Sequence, residues 1–416
     1  MVKNARPMSK SSSDQMNSER IVLYAGVGAE LTHYDLDVEG AMLVKRGTVR
    51  LPARVMYAWP HASGRHLYAA SSDWAKSDSD RNVTLAGSKH HITSFRIDPV
   101  AGALQLQGDP VSLRHRPIHL TTDIPSEHAL VAYNDPSDLT VHRINRDGTV
   151  GDEVRQPAPL DAGIYGHQIR VAPSNRMVVL VTRGNDAANG KAEDPGALKV
   201  FNYKNGVLTN LASIAPGRGY GFGPRHLDFH PSQPWVFVSL ERQNKLDVYI
   251  LEGDSRVTEP LFRKDTLAEP GAVRPGHRQM AGTLHVHPNG RFVYVANRAF
   301  ATMEFEGKRV FSGGENDIAV FAIDQVSGEP TLIQNMSTRG VYARTFAIDP
   351  SGRMLVAANA IPLMVRNGAE LNLVPACLSV FRIGGDGKLD FVRKYDVDVG
   401  LGIDSASMFW MGLTKL

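Results

Sequence analysis

One pattern occurs seven times along this chain: a polar turn followed by a short apolar strand. Such repetition restricts the fold more than length does, because a unit that cannot bury its own apolar face has to pack against copies of itself. Helical apolar spacing is sustained nowhere between the copies, which argues against an α/β fold. The seven copies are IVLYAG, HLYAAS, ALVAYN, MVVLVT, WVFVSL, FVYVAN and MLVAAN.

A second repeated unit is an alternating strand that ends in a turn containing Gly or Asp, and it also occurs seven times. Its aromatic or histidine position recurs at intervals of roughly 50 to 70 residues, the length of four short strands with their loops. This position is occupied by Tyr34, Phe95, His142, Phe201, Tyr249, Phe321 and Phe381.

A third strand precedes most copies of the first and ends in a turn with proline. Six copies lie inside the chain, and residues 405–411 are the remaining strand-like stretch that can supply the seventh. We therefore predict an all-β, seven-bladed β-propeller, whose ring is closed by pairing of the N- and C-terminal strands in one blade. Residues 19–416 form this single domain, and the polar, Ser-rich residues 1–18 are expected to be a disordered tail.

The composition of the chain excludes several classes of protein. A net charge of +3 over 416 residues is too small for general attraction to nucleic acid. The single cysteine, Cys377, rules out a disulfide framework and a thiolate zinc site. No apolar run reaches the roughly 18 to 20 residues of a membrane span, and the N-terminus lacks the apolar segment of a signal peptide. We expect a cytoplasmic protein with no membrane or nucleic-acid partner; its oligomeric state stays open.

Two columns of side chains are expected at one mouth of the central channel, where the innermost strand of each blade begins and the second strand ends. Counting six residues back from the proline after each innermost strand gives Arg54, His119, His167, Arg225, Gly282 and Arg344. The residues just beyond the second strands are Ser72, Asp135, Arg183, Glu241, Arg298 and Ala360. The channel mouth is therefore predicted to be rich in Arg and His.

A cluster of Arg and His at a channel mouth favours a small anionic substrate, because positive potential is concentrated there. Arginine forks suit carboxylate or phosphate, and a His or Glu among them can transfer a proton. The alternative interpretation is that these charges only solvate a wet channel. His285 and His287 could ligate zinc, but His287 occupies the turn position of His230 in the preceding repeat, so we predict no metal or other cofactor.

The phrase GPRHLDFHP at residues 223–231, followed by VFVSLERQNKLDVYIL, resembles the lactonase family of seven-bladed β-propellers. That family includes bacterial 6-phosphogluconolactonases and fungal 3-carboxy-cis,cis-muconate lactonizing enzymes. Further similar segments are GHQIRVAP at 166–173, HPNGRFVYVANR at 287–298 and YARTFAIDPSGRMLVAAN at 342–359. The resemblance covers nearly all of residues 19–416.

The resemblance implies an active site at positions that also stand in the two columns. The catalytic residues it implies are His167, Arg225, Glu241 and Arg298. We expect substrate to be bound by Arg54, His119, Arg183, His226 and Arg344. The sequence departs from the family pattern at Leu240, where Asn is usual, and in the segment 182–196, which replaces an Asp-rich turn. These departures leave the particular substrate open.

The sequence as a whole predicts a metal-independent lactone hydrolase acting on a carboxylated or phosphorylated lactone such as 6-phosphogluconolactone. Arg225 and Arg298, with Arg344 as a further candidate, would hold the anion and stabilise the developing oxyanion, while His167 or Glu241 would activate water. One alternative is cycloisomerisation of a carboxymuconate by the same basic cluster. Another is a binding propeller without catalysis. Assays with δ-lactones and muconates separate the three.

Overall fold

The computed structural model of the chain consists of antiparallel β-sheets, seven of which form the blades of a propeller. The described residues are 20–76, 84–85, 87–188, 190–251, 259–272, 278–400 and 407–416. The innermost strands of successive blades neighbour one another in a closed ring around the central channel. The predicted seven-bladed, all-β fold is therefore confirmed, while the predicted tail at 1–18 lies outside the described residues.

Blade 1 closes the ring, because its innermost strand comes from the C-terminus and its other three strands come from the N-terminus. The strand Met408–Lys415 pairs antiparallel with Ile21–Val27. Outside them follow Glu30–Asp37 and Met42–Arg50. This is the predicted closure, although the C-terminal strand begins at Met408 and residues 401–406 lie outside the described part of the chain.

Blades 2, 3 and 4 are each built from one continuous stretch of sequence, with the innermost strand first. Blade 2 contains Arg54–Pro60, His66–Ser72, His90–Ile97 and two short strands that both pair with His90–Ile97, namely Leu104–Leu106 and Val111–Ser112. Blade 3 contains Pro117–Thr122, His128–Asn134, Ser137–Ile144 and Val150–Glu153. Blade 4 contains Gly166–Val171, Met177–Thr182, Ala197–Lys204 and Val207–Ile214.

Blades 5, 6 and 7 follow the same order from the channel outwards. Blade 5 contains Pro224–Phe229, Trp235–Leu240, Lys245–Ile250 and Phe262–Asp265. Blade 6 contains Met280–Val286, Phe292–Arg298, Asp317–Ile323 and Pro330–Ser337. Blade 7 contains Ala343–Ile348, Met354–Asn359, Cys377–Ile383 and Leu389–Asp396.

Short elements outside the blades occur in the connections between strands. Among the residues that the structure describes, three two-stranded hairpins pair Ala75–Lys76 with Thr84–Leu85, Thr302–Phe305 with Lys308–Phe311, and Leu363–Asn367 with Glu370–Val374. Two 3-10 turns are Pro216–Gly219 and Pro270–Ala272. In the described part of the chain, no helix has the length and apolar character needed to cross a bilayer.

The apolar core consists of seven clusters of buried residues, one between each pair of neighbouring blades. The second strands read as continuous apolar runs because each blade is packed on both of its faces. In blade 6, Val293 and Val295 pack against blade 5, while Tyr294 and Ala296 pack against blade 7. This packing fixes the positions of the innermost strands around the channel.

Candidate active site

Every innermost strand carries one β-bulge near its start, where it pairs with the second strand. A bulge inserts an extra residue and changes the direction of its side chain, and such bulges are frequent next to active sites. The bulge residues are Met56, Ile118, His167, Arg225, Gly282 with Thr283, Arg344 and Phe409. All but Gly282 line one small cavity in the channel, so the bulges bring His167, Arg225 and Arg344 together.

Glu241 joins three arginines from three consecutive blades. Its Oε1 accepts a hydrogen bond from Arg183 Nη1 at 2.8 Å, and its Oε2 accepts one from Arg298 Nη2 at 2.7 Å. Arg225 Nη1 donates to the same Oε2. The second strands of blades 4, 5 and 6 end at or just before Arg183, Glu241 and Arg298, which is why residues so distant in sequence meet here.

The charges in this cluster determine how its carboxylate titrates. Burial would raise the pKa of Glu241, but Arg225, Arg298 and Arg183 outweigh it and hold the pKa far below its usual range. Burial and the neighbouring Arg298 lower the pKa of Arg225, while Glu241 opposes the shift. Glu241 is therefore a carboxylate at neutral pH and a weak proton acceptor, suited to holding the three guanidinium groups in place.

The arginine cluster carries more positive charge than its carboxylate balances. The fourth arginine, Arg344, donates from Nε to the carbonyl oxygen of Phe409 at 3.0 Å and lies over the Phe409 ring. No carboxylate among the described residues forms an ion pair with it. The buried Nε of Arg225 and the Nε and Nη1 of Arg298 have no hydrogen-bond partner among the described residues. Buried donors without partners are costly, so this arrangement suits an anionic ligand.

His167 is a neutral imidazole at the edge of the arginine cluster. Burial and the positive charges of Arg225 and Arg183 lower its pKa well below the ordinary value of histidine. Its side chain is 6% exposed, and the ring centroid lies 5.2 Å from that of His226. A neutral imidazole retains an unprotonated nitrogen, so His167 can accept a proton from water at neutral pH.

His119 and His226 lie one residue further along their innermost strands than the bulge, and both line the cavity. The His119 ring packs on Tyr57 with centroids 3.9 Å apart, and its two nitrogens have no hydrogen-bond partner among the described residues. The cavity has a volume of about 20 Å³, which is enough for a single water molecule but not for a sugar lactone. A sugar lactone would therefore have to extend beyond this cavity.

The positions of Arg54 and His119 differ from the sequence expectation. The same backbone turn closes each of these innermost strands: the N–H of one residue donates to the carbonyl oxygen of the residue five positions later. This turn position is occupied by His61, Asp123, Ala172, His230, His287 and Asp349. Pro60 therefore comes before the corresponding turn position and Pro125 after it, so counting back from them reached the wrong residues. Arg54 precedes the bulge and lies in a separate small pocket with Trp74 and Phe409, whereas His119 follows the bulge.

The residues that the sequence analysis missed lie two positions before the bulge. Tyr165 and Tyr342 both have a positive φ there, 58° and 62°, and pack against Arg183 and Arg298. The corresponding residue of blade 3 is Arg116, whose guanidinium lies over Trp74 at 4.4 Å. An alignment of the blades by their paired strands, instead of by prolines, would have placed Arg116 at the position of the two tyrosines.

The two histidines considered as zinc ligands have other contacts. His287 Nε2 is 2.8 Å from the carbonyl oxygen of Gly352, and its Nδ1 accepts a hydrogen bond from Asn289 N. His285 Nδ1 lies 3.6 Å from Asp228 Oδ2. His287 thus has the turn role that the repeat pattern predicts, in common with His230, which contacts Gly290 in the same way.

Comparison with known proteins places this architecture among lactonases. The sequence profile described as "Lactonase, 7-bladed beta-propeller" matches residues 21–361. A 6-phosphogluconolactonase of Bacillus subtilis is 28% identical over 314 residues, which are 72% of this chain and 80% of that protein. Another, of Pectobacterium carotovorum, is 26% identical over 343 residues, covering 82% and 88%.

A solved structure shares the fold across almost the whole chain. The periplasmic gluconolactonase of Pseudomonas aeruginosa superposes with a TM-score of 0.69 and 20% identity, over 95% of this chain and 99% of that one.

Proposed function

The chain belongs to the lactonase family of seven-bladed β-propellers, and we propose that this lactonase hydrolyses an anionic lactone without a metal ion. The observation that carries the proposal is the group of three arginines on the Glu241 carboxylate, with Arg344 nearby and several of their buried N–H groups without a hydrogen-bond partner among the described residues. The carbonyl oxygen and the anionic group of a substrate would together supply acceptors for this cluster.

The preferred substrate is 6-phosphogluconolactone or a lactone of similar charge. Two relatives are named for this substrate, from Bacillus subtilis and Pectobacterium carotovorum. A phosphorylated lactone carries both an anion for the arginines and a carbonyl group for attack. Arg344 has no carboxylate partner in the described structure, so we assign it to the phosphate.

In the proposed mechanism, the carbonyl oxygen of the lactone lies against Arg225 and Arg298. The negative charge that develops on this oxygen during attack by water is stabilised by their guanidinium groups. His167 takes a proton from the attacking water, which bonds to the carbonyl carbon. Glu241 is assigned a positioning role, because its three arginine partners make it a poor base.

Independence from metal is supported by the charge of the site. A divalent cation would lie close to several guanidinium groups, and like charges repel strongly in a buried site. The same arginines supply the electrostatic stabilisation that a Lewis acid would otherwise provide.

The remaining residues predicted from the sequence have supporting roles in this mechanism. Arg183 holds Glu241 from blade 4, and His226 packs on His167. His119 lines the water-sized cavity together with Arg225 and Arg344. We propose that these residues shape the site, while Arg54 contacts only the periphery of a bound substrate. A cytoplasmic location also stays a proposal, and cell fractionation tests it.

The decisive assay compares 6-phosphogluconolactone with unphosphorylated glucono-δ-lactone, in the presence and absence of a metal chelator. We expect release of free acid from both lactones, a kcat/KM at least roughly tenfold higher for the phosphorylated one, and no effect of the chelator. Equal kcat/KM values for the two lactones would contradict a preference for an anionic substrate. Loss of activity in the presence of the chelator would contradict metal independence.

A further inference from the structure

Tyr342 lies immediately before the innermost strand of blade 7, in a backbone conformation that residues other than glycine rarely adopt. Its φ is 62°. Hydrogen bonds hold the peptide groups on both sides: Tyr342 N donates to Asn316 Oδ1 at 2.8 Å, and Ala360 N donates to Tyr342 O at 3.0 Å. Left-handed conformations are unfavourable for bulky residues, and they are found more often at functional sites. This conformation makes Tyr342 a candidate for a functional role.

The ring of Tyr342 adjoins the arginine–glutamate cluster. It packs on Phe300 with centroids 4.7 Å apart, and the guanidinium carbon of Arg298 lies 5.2 Å from its centroid. Arg298 also donates to Glu241 at 2.7 Å. Arg344, which follows two residues later, lines the same cavity as His167. The half-buried Tyr342 thus packs against Arg298, and both Arg298 and Arg344 lie close enough to act electrostatically on its hydroxyl.

The charged groups that act on the Tyr342 hydroxyl are Arg298, Arg344, Arg225 and Glu241. Burial alone would raise the pKa of this phenol. The three arginines outweigh burial and the opposing Glu241, and they lower the pKa of Tyr342 to about 8. A group whose pKa is near the working pH can donate a proton and regain it within one catalytic cycle.

We propose that Tyr342 is a further catalytic residue, whose hydroxyl donates a proton to the ring oxygen of the lactone as the ring opens; this rests on the function proposed above. After water has bonded to the carbonyl carbon, the bond from that carbon to the ring oxygen breaks. The ring oxygen keeps the electron pair and takes the phenol proton, leaving a phenolate beside Arg298 and Arg344. The proton that His167 took from water returns to Tyr342 through solvent. The product is the open hydroxy acid.

Tyr165 provides a matched control for this assignment. It occupies the corresponding position in blade 4, with a φ of 58° and the guanidinium carbon of Arg183 4.5 Å from its ring centroid. Tyr165→Phe therefore removes a hydroxyl from the same local backbone, beside a different arginine. Both Phe variants keep the ring that packs on the guanidinium group, so loss of folding is not expected from either.

The test combines kinetics with a titration that needs no substrate. Ultraviolet absorbance of tyrosinate is followed against pH for the wild-type chain, Tyr342→Phe and Tyr165→Phe. We expect an early tyrosine ionisation near pH 8 that only Tyr342→Phe abolishes. Turnover of 6-phosphogluconolactone by Tyr342→Phe is expected to fall by roughly 10²-fold or more in kcat with little change in KM.

A thiolactone analogue of the same substrate separates proton donation from a structural role. A thiolate leaves without protonation, so the deficit of Tyr342→Phe should largely disappear with the thiolactone. Equal deficits with both substrates, a wild-type kcat in Tyr342→Phe, or an unchanged early ionisation would each overturn the assignment. If the wild-type chain hydrolyses no lactone, the proposed function fails as well; an active wild type with an unaffected variant removes Tyr342 alone.

Discussion

Arg298 Nη2 donates a hydrogen bond to Glu241 Oε2 at 2.7 Å and thereby joins the ends of two second strands in adjacent blades. Arg298 is 1% exposed and Glu241 4%, so this ion pair is removed from solvent. Arg183 and Arg225 bind the same carboxylate. A single acidic side chain therefore organises arginines that otherwise repel one another.

Replacement of Glu241 by Gln should damage both stability and activity. The variant keeps the shape of the side chain but removes the charge, so the buried Arg225 and Arg298 and the partly buried Arg183 lose their common partner. Breaking a buried pair in this way costs about 3 to 5 kcal/mol. We expect a lower free energy of unfolding by denaturant and a kcat/KM that falls by roughly 10²-fold.

The control for this variant is Glu153→Gln. In the wild-type chain, the Glu153 carboxylate pairs with the exposed Arg114. Exposed pairs contribute about 0–1 kcal/mol, so its unfolding and its turnover should stay close to wild type. Comparable effects of the two substitutions would contradict the role given to Glu241.

His167→Gln tests the assignment of the base. Its kcat should fall by roughly 10² to 10⁴ while KM changes little, because the arginines that bind the anion remain. Since the pKa of His167 is lowered, the imidazole stays unprotonated until the pH falls well below the ordinary histidine value. The acidic limb of the wild-type kcat profile should accordingly lie below pH 6.5. A limb at or above that pH would assign the titrating base to another group.

Arg344→Met tests the phosphate assignment. Methionine keeps an apolar contact with Phe409 but removes the charge that lies over its ring. KM for 6-phosphogluconolactone should rise by roughly tenfold or more, while KM for glucono-δ-lactone should change little. Similar increases in KM for both lactones would show that Arg344 does not bind the phosphate.

Asp317→Asn should stabilise the protein at neutral and alkaline pH. Burial raises the pKa of Asp317 to about 7; the hydrogen bond from Asn297 opposes this shift, and the neighbouring Glu315 adds to it. The native state therefore binds this proton more tightly than the unfolded chain, and stability falls as pH rises from about 4 to about 7. Asn carries no charge, so we expect a gain of roughly 1–3 kcal/mol above pH 7, and no gain near pH 4, in denaturant unfolding. A variant that is less stable at high pH contradicts this.

The fold could be predicted from the sequence because its repeats report directly on packing. Second strands such as Phe292–Arg298 are apolar at every position facing a neighbouring blade, so their seven occurrences count the blades. Closure also followed from counting, since Met408–Lys415 supplies the one strand that the N-terminal blade lacks.

The candidate site could be predicted only in part. His167, Arg225 and Arg344 are bulge residues in strands whose proline stands at the regular turn position, so counting from that proline reached them. Counting from Pro60 or Pro125 did not, which displaced Arg54 and His119. Tyr342 was missed because its position depends on a positive φ, and a tyrosine gives no sequence signal for that conformation.

The kcat/KM of Arg225→Ala with 6-phosphogluconolactone, measured beside an Arg50→Ala control, tests the central proposal most directly. Arg225 contacts Glu241 inside the cluster, whereas Arg50 lies exposed on the outermost strand of blade 1. Loss of an oxyanion donor predicts a fall of roughly 10² to 10³ in kcat for Arg225→Ala and no change for Arg50→Ala. Wild-type turnover by a folded Arg225→Ala variant would contradict catalysis at this arginine cluster.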